Sequence, residues 1–244
     1  MSVGKLNKYL ERNQEPVSIG GPTKTLIIVT DSKGNKLRNN VSSIFEREII
    51  WQAKPGRTSK QATFHIKNNI ERWVERYKNI LVVLWTGTCD LTRKTGIFVD
   101  LNSSEEDSVQ SIIAEYENVS EFIANKFKDH AKLLILEVPQ YSIEIWNSSK
   151  GHRNPTSYKE NQEILINRIT RLNDAIRKFN FELDPTTASP LIGIDLKKPH
   201  KSNKNYKFIK YAYGLLTDGI HPGTTLSNYW LRQIVLKIMI KLCY

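Results

Sequence analysis

The sequence predicts an α/β protein, a three-layer α/β/α sandwich built on a five-stranded, mostly parallel sheet. Three observations predict it. Residues 26–29 (LIIV), 79–85 (NILVVLW) and 132–138 (KLLILEV) are almost unbroken apolar runs, which read as strands buried on both faces. Between these runs apolar residues recur at helical spacing, and strands alternating with helices imply right-handed crossovers around one sheet. Each run also stops abruptly at a polar or proline-bearing turn, the end of an α/β sheet where ligands bind.

Residues 1–23 carry few large apolar groups and include Gly20, Gly21 and Pro22, so they are expected to form a mobile leader that adds little core. The domain itself is expected over 24–244. Its first strand ends at Asp31 and Ser32, and Ser32 is either a helix cap, as Ser and Asp are at many strand-to-helix turns, or a nucleophile. A short helix is expected over 36–45 and a second strand over 48–53, after which Gly56 supplies a turn. Ile66, Ile70, Trp73, Val74 and Tyr77 mark one buried face of a crossover helix within 58–77. The third strand, 79–85, runs into Thr86-Gly87-Thr88-Cys89-Asp90-Leu91-Thr92.

Val109, Ile112, Ile113, Tyr116, Val119, Ile123 and Phe127 then outline a long amphipathic helix, and a fourth strand over 132–138 is closed by Pro139. Residues 140–157 read as a long loop in which Tyr141, Ile145 and Trp146 could line a pocket. Leu165, Ile169, Leu172, Ile176 and Phe179 place a helix over 158–181, and residues 190–196 (PLIGIDL) supply the fifth strand. The last helix turns Leu226, Trp230, Ile234, Val235, Ile238 and Leu242 inward.

Length and composition bound the function. A chain of 244 residues with 39% hydrophobic content buries one substantial core and requires no second domain. It offers no apolar signal segment and no run of about 18 uncharged apolar residues, so an intracellular protein without a membrane span is expected. Two cysteines, Cys89 and Cys243, are too few for a disulfide framework or a cysteine-based zinc site, and His65, His130, His152 and His200 lack a matching ligand cluster. No metal and no cofactor are expected. Lys and Arg outnumber Asp and Glu by 36 to 25, a net charge of +11 that attracts polyanions. Six of those lysines, Lys197, Lys198, Lys201, Lys204, Lys207 and Lys210, fall in one stretch without an acid, interleaved with Tyr206. The stretch is either a solvated loop or a contact for RNA or single-stranded DNA, in which Tyr206 would stack on a base.

The spacing of the polar turns resembles that of the SGNH, or GDSL, hydrolase superfamily: Asp31-Ser32 after the first strand, Gly56 after the second, Gly87-x-x-Asp90 after the third, and Asp218-Gly219-Ile220-His221-Pro222 before the final helix. The resemblance covers residues 25–244, and its most specific part is the carboxylate three residues ahead of His221-Pro222. It implies a flavodoxin-like sheet and a serine esterase or acyl hydrolase acting on a small ester or acyl substrate. Ser32 would be the nucleophile, His221 its general base and Asp218 the group that orients the imidazole. The oxyanion hole would use the N–H groups of Ser32 and Gly56. Two positions depart from the family pattern. Thr30 stands where the first block has glycine, and Cys89 stands where the third block has its oxyanion-hole asparagine, leaving a thiol, a weak donor, or the neighbouring Thr88 to act instead. Related domains of the Oskar family bind RNA without a triad, and some LINE-type retrotransposons encode esterase domains, so a nucleic-acid-binding module with weak or no hydrolase activity is the alternative reading.

Overall fold

In the computed structural model, residues 2–17, 19–102, 107–183, 196–201 and 207–244 are described. Strand β1 (Thr25–Thr30) lies inside a parallel sheet of order β2-β1-β3-β6, flanked by β2 (Ile50–Ala53) and β3 (Ile80–Trp85), with β6 (Ala131–Ile135) beyond β3. Register aligns Thr30 with Ala53 and Trp85, so the turns after these three strands emerge side by side at one end of the sheet. The continuous apolar runs are explained by this position. Every residue of β3 is buried, as are Leu26 through Val29 of β1, and each such side chain contributes about 1.5–3 kcal/mol of burial. Among the described residues the sheet has four strands rather than the expected five, and apart from the buried Leu196 the proposed fifth strand lies outside them.

Helices cover both faces. On one side α4 (Ser59–Tyr77), α6 (Asp107–Phe127) and α8 (Lys159–Leu183) pack in sequence. On the other, α2 (Ser32–Arg38) and α1 (Val3–Arg12) pack on α9 (Thr224–Ile234), whose Trp230 meets Trp85 of β3 edge-on with ring centroids 5.5 Å apart. The C-terminal helix continues through a wider turn, Val235–Met239, into α10 (Ile240–Cys243).

Several elements depart from the sequence reading. Residues 1–23 do contribute core: α1 buries Leu6 completely, sets Tyr9 edge-on against Tyr229 at 4.7 Å, and is followed by Asn13 and Glu15, which accept from Arg232. A short helix needs only one apolar face to dock, and Leu6 and Tyr9 sit one turn apart on it. The helix expected over 36–45 is two helices, because Asp31 caps α2 from its own turn and a Ser43–Glu46 capping box starts α3 (Ile44–Glu48). The turn after β3 is longer than expected. It holds α5 (Thr88–Leu91) and an antiparallel hairpin of β4 (Thr92–Thr95) and β5 (Phe98–Leu101). The signal was the glycine of Thr95-Gly96-Ile97 followed by strand-like alternation, with Val99 and Leu101 buried and Phe98 and Asp100 less so.

The expected loop at 140–157 contains α7 (Ile143–Ser149), capped by Ser142. The lysine-rich stretch is likewise not a plain loop: β7 (Lys197–Lys201) and β8 (Lys207–Tyr211) pair antiparallel, with Lys198 opposite Lys210 and Lys201 opposite Lys207. Residues 202–206, including Lys204 and Tyr206, lie outside the described residues. Among the described residues no helix is long and apolar enough to cross a membrane.

Beyond β6 the chain continues to Val138 and Tyr141, and α8 pairs with it through amides rather than apolar contacts alone. Asn180 accepts from the N–H of Ile135 and donates to its carbonyl, Asn173 does the same for Val138, and Gln162 accepts from Ile143 N–H while donating to Tyr141 O. Buried backbone groups there would otherwise lack partners, so these three polar residues inside the apolar face of α8 hold the β6–α7 connection in place.

Candidate active site

Ser32 is the first residue of α2, positioned by a strand that stops and a helix that starts within one residue. Asp31 makes this possible by accepting the N–H of Lys33 at 2.9 Å as the N-cap. The helix can then lie close to the sheet because residue 34 is glycine: a Cβ there would come within 2.1 Å of Thr30 Cγ2 and 3.0 Å of Ala53 Cβ. The cap expected of Ser32 is therefore supplied by its neighbour. Asp31 does the capping, which leaves the Ser32 hydroxyl free for another partner.

That partner is His221, from a turn 189 residues away. Ser32 Oγ and His221 Nε2 are 2.8 Å apart, and His221 Nδ1 is 2.7 Å from Asp218 Oδ2. The turn is closed on itself. Asp218 Oδ1 accepts from the N–H groups of Ile220 at 3.1 Å and His221 at 2.8 Å, and Thr217 N–H donates to His221 O at 2.8 Å. Burial acts to raise the Asp218 carboxyl, but the hydrogen bonds from the His221 ring and backbone and from Ile220 outweigh it and hold the group at about 2. Gly219 has φ +88°, and a Cβ there would sit 2.8 Å from both Ser142 O and Trp146 N, so α7 and the turn approach as closely as backbone allows. Ser142 N–H donates to Gly219 O at 2.8 Å, which ties them together.

The helix α7 supplies a wall of the site. Trp146 places its ring 5.9 Å from that of His221 and donates through Nε1 to Ile97 O at the tip of the β4–β5 hairpin. Asn147 pairs with both backbone groups of Val99, each at 2.8 Å, so hairpin, helix and histidine turn form one connected unit. Of the three expected pocket residues, Trp146 and the partly exposed Ile145 lie at this wall, whereas Tyr141 is buried and donates to Thr88 O at 2.9 Å.

On the other side of Ser32 stand the two remaining turns. Gly56 is exposed with φ +73°, and no atom lies within 4 Å of a Cβ built on it. Beside it a groove of about 570 Å³ is lined by Lys54, Arg57, Lys60, Phe64 and His65. The third turn is held to the second by Asp90, whose carboxylate accepts the Ser59 N–H at 2.9 and 3.0 Å and its hydroxyl at 3.2 Å, fixing the start of α4. Burial raises the Asp90 carboxyl to about 6, against the lowering effect of the Ser59 bonds.

Cys89 is a free, partly buried thiol that burial pushes up to about 12, with the Asp31 carboxylate adding to the rise. It is a protonated thiol and no activated nucleophile at neutral pH. Thr88 is drawn inward instead, 5% exposed, its hydroxyl accepting from the Lys33 ammonium at 2.7 Å. Sequence reasoning missed Lys33 entirely. A lysine in a polar strand-to-helix turn reads as a surface residue, yet this one is 1% exposed, paired with Asp31 and set 5.6 Å from the Trp85 ring centroid. Lys197 and Lys210, the members of the basic stretch whose side chains fall among the described residues, are not part of this cluster. Among the described residues no group of three or more His, Cys, Asp or Glu side chains is placed to hold a metal ion.

No protein-family model matches the chain, and no curated protein matches it. Solved structures do. A GDSL-like lipase from Bacteroides thetaiotaomicron aligns over 96% of this chain and 96% of its own, with a TM-score of 0.59 at 14% identity. A protein from Bacteroides fragilis assigned as an acylhydrolase aligns over 96% of this chain and 95% of its own, with a TM-score of 0.56 at 16% identity. The chain has the fold of the SGNH, or GDSL, hydrolases.

Proposed function

We propose that the protein is a serine esterase or acyl hydrolase in which Ser32 is the nucleophile, His221 the general base and Asp218 the group that fixes the imidazole tautomer. One observation carries the reading: the hydrogen-bonded line from Ser32 Oγ to His221 Nε2 at 2.8 Å and from His221 Nδ1 to Asp218 at 2.7 Å, at the ligand-binding end of the sheet. The names borne by the two structural neighbours, a lipase and an acylhydrolase, point the same way.

In this reading Ser32 Oγ attacks the ester carbonyl carbon as its proton passes to His221 Nε2. The carbonyl oxygen becomes an oxyanion beside the N–H groups of Ser32 and Gly56, with the Cys89 thiol as a weak third donor in place of an amide. His221 then returns the proton to the departing alcohol oxygen, and water activated by the same base releases the acid from Ser32. Loss of one oxyanion donor typically costs roughly 100- to 1,000-fold in rate, so turnover of activated esters is expected to be measurable but slow.

The test is hydrolysis of short p-nitrophenyl esters together with fluorophosphonate labelling read by mass spectrometry. Labelling is expected on Ser32, with turnover abolished in Ser32→Ala and His221→Ala. Wild-type turnover no greater than that of Ser32→Ala, without labelling, would sink the hydrolase reading.

A further inference from the structure

We propose that Lys33 is a positioning residue for the oxyanion side of the site, cancelling the charge of Asp31 beneath the nucleophile and tying the Thr88–Cys89 turn to it. The inference rests on the hydrolase reading above and extends it to a residue with no part in the triad.

The observations concern a buried cation. Lys33 follows the nucleophile directly, is 1% exposed, and has the donors of its ammonium occupied by Asp31 Oδ2, by Thr88 Oγ1 at 2.7 Å and by the face of Trp85. Desolvating a lysine is costly, and a leucine would fill the same interior without that cost, so the charge itself calls for an explanation. Asp31 provides it. This carboxylate caps α2 one residue before Ser32 and is itself 1% exposed, so its charge is desolvated and adjacent in the chain to the hydroxyl that meets His221. A unit charge about 6 Å from a developing oxyanion, at an effective dielectric near 20, opposes it by roughly two decades of rate. That equals the contribution of a typical oxyanion-hole donor. With a thiol where an amide would stand, an uncompensated Asp31 would leave the site with two deficits rather than one.

The second half of the role is geometric. Thr88 Oγ1 takes the Lys33 ammonium while Thr88 O accepts from Tyr141 OH at 2.9 Å and from Thr92 Oγ1 at 3.0 Å, so the turn bearing Cys89 is fixed from three directions. Among these ties, the one from Lys33 is the one that connects the turn to the nucleophile's own helix.

The experiment compares Lys33→Gln, which keeps a donor for Asp31 and Thr88 but loses the charge, with the double variant Asp31→Asn/Lys33→Gln, in which Asn still caps α2. With p-nitrophenyl acetate, Lys33→Gln is expected to lose about 100-fold in kcat with KM within about twofold, and the double variant to recover most of that loss. A solely structural lysine would show no such recovery. Wild-type kcat in Lys33→Gln, or a double variant as slow as the single one, overturns the proposal. Should Lys33→Gln not fold, the neutral double variant decides alone: a kcat within about tenfold of wild type supports charge cancellation, and a loss of 100-fold or more overturns it. Ser32-dependent turnover of the wild type is measured first. Its absence overturns the hydrolase reading, whereas its presence with an indifferent Lys33 overturns only this inference.

Discussion

The two flanks of Ser32 are built differently. On the His221 flank every group has a short, directed partner: Ser32 to His221, His221 to Asp218, and Asp218 to two backbone N–H groups of its own turn. On the Gly56 and Cys89 flank stand an exposed glycine and a partly buried thiol, and the strong bonds lie one step behind them, in Asp90 to Ser59 and Lys33 to Asp31 and Thr88. In the proposed reaction a proton moves between particular atoms, and on this flank those atoms already stand within hydrogen-bond reach of one another. Oxyanion stabilisation requires oriented donors with nothing bound to them, so that apparatus shows itself through what holds the donors in place.

The largest effect that would break this contrast belongs to the closed flank. Asp218→Asn keeps the turn's shape but removes the charge that stabilises the imidazolium, and kcat for ester hydrolysis is expected to fall by about 10⁴-fold. A loss below tenfold would mean that the 2.7 Å contact is structural and that the two flanks do not divide as described.

A smaller effect, of opposite sign, belongs to the open flank. If the thiol is its weak point, Cys89→Asn is expected to raise kcat by as much as about 100-fold with little change in KM, since a donor aimed at the oxyanion acts on the transition state. A lower kcat in a folded variant would show that the pocket cannot accept an amide there.

The smallest effect sharpens the contrast through stability. Asp90, raised from 3.8 to about 6, holds a proton in the folded chain over a pH range where the unfolded chain releases it. Its contribution therefore falls as pH rises from about 4 to 6, by up to about 3 kcal/mol. Asp218, lowered from 3.8 to about 2, behaves oppositely: its contribution is present above pH 4 and lost as pH falls through 2. Urea denaturation between pH 3 and 7 is expected to show a decline with rising pH that Asp90→Asn flattens. Parallel pH profiles for the two proteins would remove Asp90 as its source.

Much of this was legible in the sequence because it is local. Almost unbroken apolar runs specify strands buried on both faces, and the ends of β1, β3 and β6 lie within three residues of where those runs predicted them. Asp218 and His221 are three residues apart, so a single turn with a glycine at φ +88° is enough to bring them together, and the likeness of this block to the family pattern pointed to the pair. The tertiary structure decided what depends on distant partners. Ser32 meets His221 across 189 residues and Lys33 meets Thr88 across 55. Charge patterning could not reveal the latter, because a lysine next to a polar turn is ordinarily solvated and only the enclosure by Trp85, Asp31 and Thr88 makes it interior. The docking of α1 and the amide pairing by Asn173 and Asn180 were hidden for the same reason: a polar or sparsely apolar segment becomes core only when another element presents the matching surface, and local residue patterns do not contain that surface.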